Sequence, residues 1–130
     1  MKSFKKYTII PAEPEIVYLA LTTEITAKLW TGDEAVINAI PGGEFSLWDG
    51  SIVGKFIELV PHSKIVQQWY FGDVSEESIV TLKLHPHKKG TSLEVNHVNI
   101  PEDTFEDIVD GWENIYLDSL IDFYTEEDQS

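Results

Sequence analysis

The pattern of hydrophobic and polar positions predicts a strand followed by helices at the start of the chain. Residues 4–10 alternate as in a strand, and a proline-rich segment at 11–14 separates them from a helical run over 16–21. A second short helix is predicted over residues 23–29, because Gly32 supplies a stop signal soon after it. The chain therefore begins with one strand and two short helices.

From Gly32 to Ile100 the pattern is that of strands separated by turns. Turn-forming residues recur at positions 41–43, 49–50, 61–63, 72–73 and 86–90. The Asp49-Gly50 pair between two apolar runs is a typical hairpin signal, because both residues tolerate a positive φ angle. This spacing predicts a meander of antiparallel strands.

The last part of the chain changes to a helical period. Apolar residues recur at steps of three and four, at Phe105, Ile108, Val109, Trp112, Tyr116, Leu120 and Phe123. We predict one long amphipathic helix, within a single domain over residues 1–124 that is followed by an acidic disordered tail at 125–130. Gly111 interrupts the helix, and a glycine there predicts that another part of the molecule approaches its backbone closely.

Together these segments predict an α+β domain built on a curved antiparallel sheet. Such a sheet has two faces, and the long C-terminal helix covers one of them. A sheet wrapped around a helix can leave a gap lined by side chains, and a gap of this kind is a default ligand pocket.

Composition and charge narrow the classes of partner. The 130 residues, 42% of them hydrophobic, suit one globular domain. Asp and Glu number 23 against 9 lysines, which gives a formal net charge of −14 and predicts repulsion from nucleic acid and from anionic membranes. No apolar run reaches the roughly 18 residues of a membrane span. The chain has no cysteine and no apolar signal stretch at its start, so we expect a cytoplasmic protein.

The sequence lacks the common motifs of enzymes, among them the P-loop, GxGxxG, HExxH and GxSxG. We expect no cofactor and no metal. His85 and His87 flank Pro86 and resemble a metal-binding pair, but the lysine-rich turn beside them favours exposed turn histidines.

Two predicted strands carry polar side chains on their apolar faces. Gln67 lies in step with Trp69 and Phe71, and His97 lies in step with Val95. Two interpretations of His97 stay open, a hydrogen-bonded core histidine and a polar group that orients a ligand. An enzyme acting through His97 is a third alternative, which no activated nucleophile or paired acid supports. The candidate ligand-binding residues are Gln67, Trp69, Phe71, His97, Trp112 and Tyr116.

Four tryptophans stand at positions 30, 48, 69 and 112. Large rigid aromatic side chains anchor cores or interfaces. Trp48 lies next to the Asp49-Gly50 turn and is harder to bury than Trp112, so we assign Trp48 to a surface contact.

The ordered set of segments resembles a known family. The segments are residues 9–12, 16–18, 21–23, 30–33, 41–50, 54–61, 65–69, 111–112 and 116–117. Over nearly the whole chain they are similar to the START-like helix-grip superfamily (SRPBCC, Bet v 1-like), and within it to the C-terminal domain of the activator of the Hsp90 ATPase. The resemblance implies seven antiparallel strands gripping the C-terminal helix, with two short helices after the first strand.

The resemblance implies a non-enzymatic binding domain that contacts an Hsp90-type chaperone, a co-chaperone-like module of the stress response. The candidate contact residues are Trp48, Gly42, Gly43 and Asp49. The alternative is a carrier or sensor of a small hydrophobic ligand, a lipid or an aromatic compound, held between the sheet and the C-terminal helix.

Overall fold

The computed structural model describes residues 1–72 and 77–129, the last four as backbone only. The first elements are β1 (Lys2–Ile10), α1 (Pro14–Thr22), α2 (Glu24–Thr31), β2 (Val36–Ile37), β3 (Glu44–Leu47), β4 (Ile52–Val60), β5 (Lys64–Trp69), β6 (Ser78–His87) and β7 (Gly90–Ile100). A 3-10 turn (Glu102–Thr104), α3 (Phe105–Gly111), a π-helical turn (Trp112–Tyr116) and α4 (Leu117–Gln129) form the C-terminal helix. Asp73 of the predicted turn at 72–73 lies outside the described residues. The division of the chain at residue 124 stays a prediction.

The strands form one antiparallel sheet in the order β1-β7-β6-β5-β4-β3-β2. Side chains of successive residues point to opposite faces of the sheet, so buried and less buried residues alternate along the central strands. In β5 the buried residues on the concave face are Ile65, Gln67 and Trp69. Trp112 and Leu120 of the C-terminal helix are also buried. The predicted α+β helix-grip architecture is therefore confirmed.

The two short helices close one side of the core. Pro14 occupies the first turn of α1, and Gly32 ends α2 in a left-handed conformation with φ of 71°. The indole nitrogen of Trp30 donates a 2.7 Å hydrogen bond to the carbonyl oxygen of Ala20, which joins α2 to α1. No helix in the described part of the chain is long and apolar enough to cross a membrane.

The predicted hairpin at Asp49-Gly50 joins β3 to β4. Leu47 pairs with Ile52, so residues 48–51 form the loop. Trp48, Asp49 and Gly50 all have positive φ angles, of 50°, 51° and 90°. A left-handed conformation is unusual for a bulky residue such as Trp48 and costs free energy that the surrounding contacts must supply.

The C-terminal helix differs from the uniform helix that the sequence predicts. A π-helical turn at residues 112–116 interrupts the α-helical hydrogen bonding, and such turns are frequent at functional sites. The prediction of a close approach at Gly111 is wrong, since a Cβ atom built there meets no atom within 4 Å. Gly111 instead borders open space.

Candidate functional site

The region between the sheet and the π-helical turn holds a set of hydrogen-bonded aromatic side chains. Trp69 and Trp112 stack with ring centroids 5.0 Å apart and planes 19° from parallel. The indole N–H of Trp69 donates to Oε1 of Gln67 at 2.9 Å, and that of Trp112 donates to Nδ1 of His97 at 3.1 Å. Each buried polar group thus has a partner, as folded interiors require.

His97 is fully buried, and both of its ring nitrogens are bonded within the protein. Because Nδ1 accepts from Trp112, the proton of the neutral ring lies on Nε2, which donates to Oγ of Ser78 at 2.8 Å. The Ser78 hydroxyl donates in turn to the carbonyl oxygen of Val98 at 3.3 Å. Burial lowers the pKa of His97 to about 4, so the ring is neutral at pH 7. We name Gln67, Trp69, Ser78, His97 and Trp112 the aromatic core network.

The structure brings the six candidate ligand-binding residues together. Besides Gln67, Trp69, His97 and Trp112, it stacks Phe71 on His97 at 6.2 Å and places the Tyr116 ring 4.5 Å from that of Trp112. Burial raises the pKa of the Tyr116 phenol, which is almost fully enclosed. These six side chains pack against one another in the space where a gap was predicted, and their role in ligand binding stays a prediction.

An open groove of about 420 Å³ lies beside the network. We use "the groove" for the surface formed by Asp33, Trp48, Ser51, Ile52, Trp69, Asp107, Ile108, Gly111, Trp112, Ile115 and Tyr116. Three of the six predicted ligand-binding residues, Trp69, Trp112 and Tyr116, contribute to its wall. Gln67, Phe71 and His97 do not line it.

Trp48 is the tryptophan that faces both protein and solvent. Its ring packs edge-on against Trp30 at 5.5 Å and lies 5.7 Å from Tyr116, which leaves it half-buried on the groove. The indole N–H groups of Trp30, Trp69 and Trp112 all donate to protein acceptors. Within the described part of the chain, the N–H of Trp48 has no protein acceptor and remains available to a partner.

The charges on the groove are all negative. Among the described residues, Asp33 and Asp107 are the two carboxylates that line it, and no lysine or histidine does. Oδ1 of Asp33 accepts from the backbone N–H of Glu34 at 2.8 Å. The side-chain carboxylate of Asp107 has no hydrogen bond or ion pair with another described residue.

The other predicted contact residues lie away from the groove lining. Gly42 is exposed at a turn with φ of 84°, and its N–H donates to the carbonyl oxygen of Phe56 at 2.8 Å. Gly43 is buried, and a Cβ atom there would collide with the carbonyl oxygen of Asn38. Asp49 is exposed, and its N–H donates to the carbonyl oxygen of Glu34 at 2.9 Å. The structure therefore gives both glycines a backbone role, and their contact with a partner stays a prediction.

Seven of the eleven groove residues were not predicted as site residues: Asp33, Ser51, Ile52, Asp107, Ile108, Gly111 and Ile115. For Ile115 the sequence held a usable signal, because this apolar residue lies outside the predicted apolar stripe of the helix. In the structure its side chain is 49% exposed. For Gly111 the sequence held no such signal, since the absence of a side chain is equally consistent with open space and with close packing.

The histidines of β6 form no metal site among the described residues. His85 lies within the strand and not in the turn beyond it. Its Nε2 atom is 2.9 Å from Oε1 of Glu94, and this contact is the main cause of the lowered pKa of the Glu94 carboxyl. His85 is thus hydrogen-bonded to Glu94 on the outer face of the sheet, where Nζ of Lys5 also approaches the Glu94 carboxylate at 3.8 Å.

Comparison with known proteins agrees with this architecture. The family described as activator of Hsp90 ATPase homolog 1-like protein matches residues 11–123. The human activator of 90 kDa heat shock protein ATPase homolog 1 is 32% identical over 109 residues, covering 82% of this chain and 32% of its own length. A Dictyostelium discoideum homologue is 36% identical over 96 residues, or 72% of this chain and 25% of its own. The chain thus spans about a third or less of these relatives.

Solved structures share this fold over nearly the whole chain. An Hsp90 activator from Plasmodium falciparum superimposes with a TM-score of 0.82 at 29% identity, covering 91% of this chain and 92% of that chain. The Aha1 dimer from Colwellia psychrerythraea, at 24% identity, shares the fold with a TM-score of 0.78 over 94% of this chain and 95% of that one. Because the family match extends over most of the sequence and the strands and helices agree with it, the chain belongs to the Hsp90 ATPase activator homolog 1-like family.

Proposed function

We propose that this domain is a co-chaperone-like module that contacts an Hsp90-type chaperone. The observation that carries the proposal is the 32% identity over 109 residues to a protein named as an activator of the 90 kDa heat shock protein ATPase. The chain corresponds to about a third of that relative, so contact with the chaperone and stimulation of its ATPase are separate properties that require separate tests.

The groove and Trp48 support a contact on this face of the domain. Energetically important interface residues are often tryptophans that become fully desolvated at the centre of a contact. Trp48 is half-buried, is held by Trp30 and Tyr116, and retains an indole N–H for an acceptor on the partner. A partner that covers the groove would bury apolar surface without leaving a polar group of the aromatic core network unpaired.

A titration of the 15N-labelled domain with a purified Hsp90-type chaperone tests the contact. We expect chemical-shift changes at Trp48 and at the other groove residues, together with line broadening from the large complex. The absence of any change at roughly 1 mM chaperone, where a contact worth about 4 kcal/mol is half-populated, would contradict the proposal.

A matched pair of variants localises the contact. Trp48→Ala removes the aromatic ring at the groove, whereas Tyr7→Ala removes an exposed ring from β1, outside the groove. We expect Trp48→Ala to weaken chaperone binding at least tenfold and Tyr7→Ala to leave it within about twofold. The turnover of the chaperone ATPase with and without the domain then shows whether binding alone stimulates hydrolysis.

Carriage of a small hydrophobic ligand is the second candidate function. The observation that favours it is the volume of the groove, about 420 Å³, which falls in the range of roughly 300 to 1,000 Å³ for small-molecule sites. A panel of fatty acids and aromatic compounds tests it, with tryptophan fluorescence and NMR shifts as the signals. Saturable binding that leaves chaperone binding unchanged would favour the carrier, and no response across the panel would exclude these compounds as cargo.

A further inference from the structure

We infer that the groove receives an apolar side chain from a segment of a partner protein, with lysine or arginine residues flanking that side chain. The inference rests on the proposed function, because it specifies the chemistry of the segment that a protein partner presents to this face.

The wall of the groove sets the apolar part of this specificity. Trp69 and Trp112 line the groove as a stacked pair, and their indole N–H groups already donate to Gln67 and His97. A polar side chain entering there would lose its water and find no free partner on that wall. An apolar side chain would bury surface on Ile108 without such a cost.

The edge of the groove sets the charge. Asp33 and Asp107 line the groove, and the carboxylate of Asp107 has no partner within the described part of the chain. Glu106 and Asp110 add negative charge on the same short helix, α3. No lysine of the described part of the chain lines the groove, so a cationic flank would be attracted and an anionic one repelled.

The available hydrogen-bond donor fits a polypeptide better than a fatty acid. The indole N–H of Trp48 has no acceptor among the described residues, and a peptide backbone supplies carbonyl oxygens on both sides of an inserted side chain. The carboxylate of a fatty acid would supply an acceptor but would also meet Asp33 and Asp107. A second copy of this chain is disfavoured as the occupant, since both copies carry a formal net charge of −14.

Binding of three dye-labelled synthetic peptides to the intact chain, followed by fluorescence anisotropy at low salt, tests the inference. The first peptide has a central Leu-Phe pair with two lysines on each side. The second replaces the lysines with glutamates, and the third replaces Leu-Phe with Ser-Ser. We expect the first to bind at least tenfold more tightly than either of the others. Equal binding of the first and second peptides would overturn the inference.

Two sets of variants place the binding in the groove. Gly111→Leu directs a side chain into the open space in front of the helix, and Asn114→Leu is the control on an exposed position outside the groove lining. We expect Gly111→Leu to abolish binding of the first peptide and Asn114→Leu to leave it unchanged. Ile115→Lys, which adds a positive charge at the groove, gives the same loss by a different route.

The charge variants measure the attraction. Asp33→Asn combined with Asp107→Asn should weaken binding of the lysine peptide by roughly three- to tenfold at low salt, and the difference should shrink near 1 M salt. Asp118→Asn is the control, because Asp118 is an exposed carboxylate outside the groove lining. Affinity that is unchanged by the double substitution would overturn the role of the two carboxylates.

The chaperone itself separates this inference from the proposed function. If Gly111→Leu binds an Hsp90-type chaperone as tightly as the unsubstituted chain does, the groove is not the contact and the inference fails while the proposed function stands. If the chain binds the lysine peptide in the groove but no such chaperone, the proposed function fails and the peptide specificity stands.

Discussion

The aromatic core network and the groove share Trp69 and Trp112, yet they differ in how their polar groups are used. Inside the network, the N–H groups of both tryptophans and both nitrogens of His97 have protein partners. On the groove, the N–H of Trp48 and the carboxylate of Asp107 have none within the described residues. The difference supports a structural role for the network and the proposed partner contact on the groove.

The buried histidine, His97, belongs to the aromatic core network and has a protein partner at each ring nitrogen. A buried polar group with an unpaired atom suggests a ligand, but His97 completes a chain of hydrogen bonds from Trp112 to Ser78 and Val98. Its geometry fits the first of the two interpretations that the sequence left open, a hydrogen-bonded core histidine. The proposed binding chemistry lies on the groove, where apolar rings meet the indole N–H of Trp48 and the carboxylate of Asp107.

The largest expected effect is a difference in the free energy of unfolding between variants of Trp112 and Trp48. Trp112→Ala removes a fully buried ring and leaves Nδ1 of His97 without its donor, so we expect the free energy of unfolding to fall by about 3 to 5 kcal/mol. Trp48→Ala should cost less, because its ring is half-buried and its substitution leaves no acceptor unpaired. Urea denaturation of both variants checks the order, and a larger loss for Trp48→Ala would contradict the comparison.

The second effect is a pH dependence that originates in His97. Its folded-state pKa is about 4, whereas the ordinary pKa of a histidine is 6.5, so the unfolded chain binds the proton more readily. The stabilisation is present above pH 6.5 and is lost as pH falls towards 4, by about 3 kcal/mol for the whole shift.

Denaturation of the unsubstituted chain and of His97→Gln between pH 4 and pH 7 isolates this contribution, because the carboxylates titrate in both proteins. We expect the stability difference between the two to shrink at low pH. A constant difference across the range would show that His97 does not titrate as its burial requires.

The third effect contrasts two glycines. Gly111 has a helical φ of −60° and open space at its Cβ position, so Gly111→Ala should stabilise the protein by about 1 kcal/mol. Gly43→Ala should destabilise it, because the new methyl group would collide with the carbonyl oxygen of Asn38. Thermal denaturation compares them, and stabilisation by both substitutions would contradict the local geometry.

The smallest expected effect concerns the edge of the groove. Asp107→Asn removes an exposed charge that has no described partner, so the free energy of unfolding should change by no more than about 0.5 kcal/mol. Chemical denaturation measures it. A loss of several kcal/mol would mean that Asp107 belongs to the structure and not to a binding surface.

The fold could be predicted because its signals are local and repeated. The Asp49-Gly50 turn, the stop at Gly32 and the helical stripe each follow from residues close in sequence, and each is found in the structure. The inward direction of Gln67 and His97 followed from strand alternation alone, and both are buried.

The site was less predictable because it depends on volumes that only the folded chain defines. Alternation placed Gln67, Trp69 and His97 on inward faces, but it could not show that the stack of Trp69 on Trp112 occupies the space between them. Gly111 was interpreted as a close contact because a sequence gives no sign of which side of a glycine is empty. The π-helical turn has no simple sequence signature, so its effect on the helix was missed as well.

The most direct test of the account follows the indole N–H signals of the four tryptophans while an Hsp90-type chaperone is added. The signals of Trp30, Trp69 and Trp112 report donors bonded inside the protein, and that of Trp48 reports a donor without a described acceptor. We expect the Trp48 signal to change most and the Trp30 signal least. Binding that leaves Trp48 unchanged while other parts of the domain respond would contradict the claim that the groove is the contact surface.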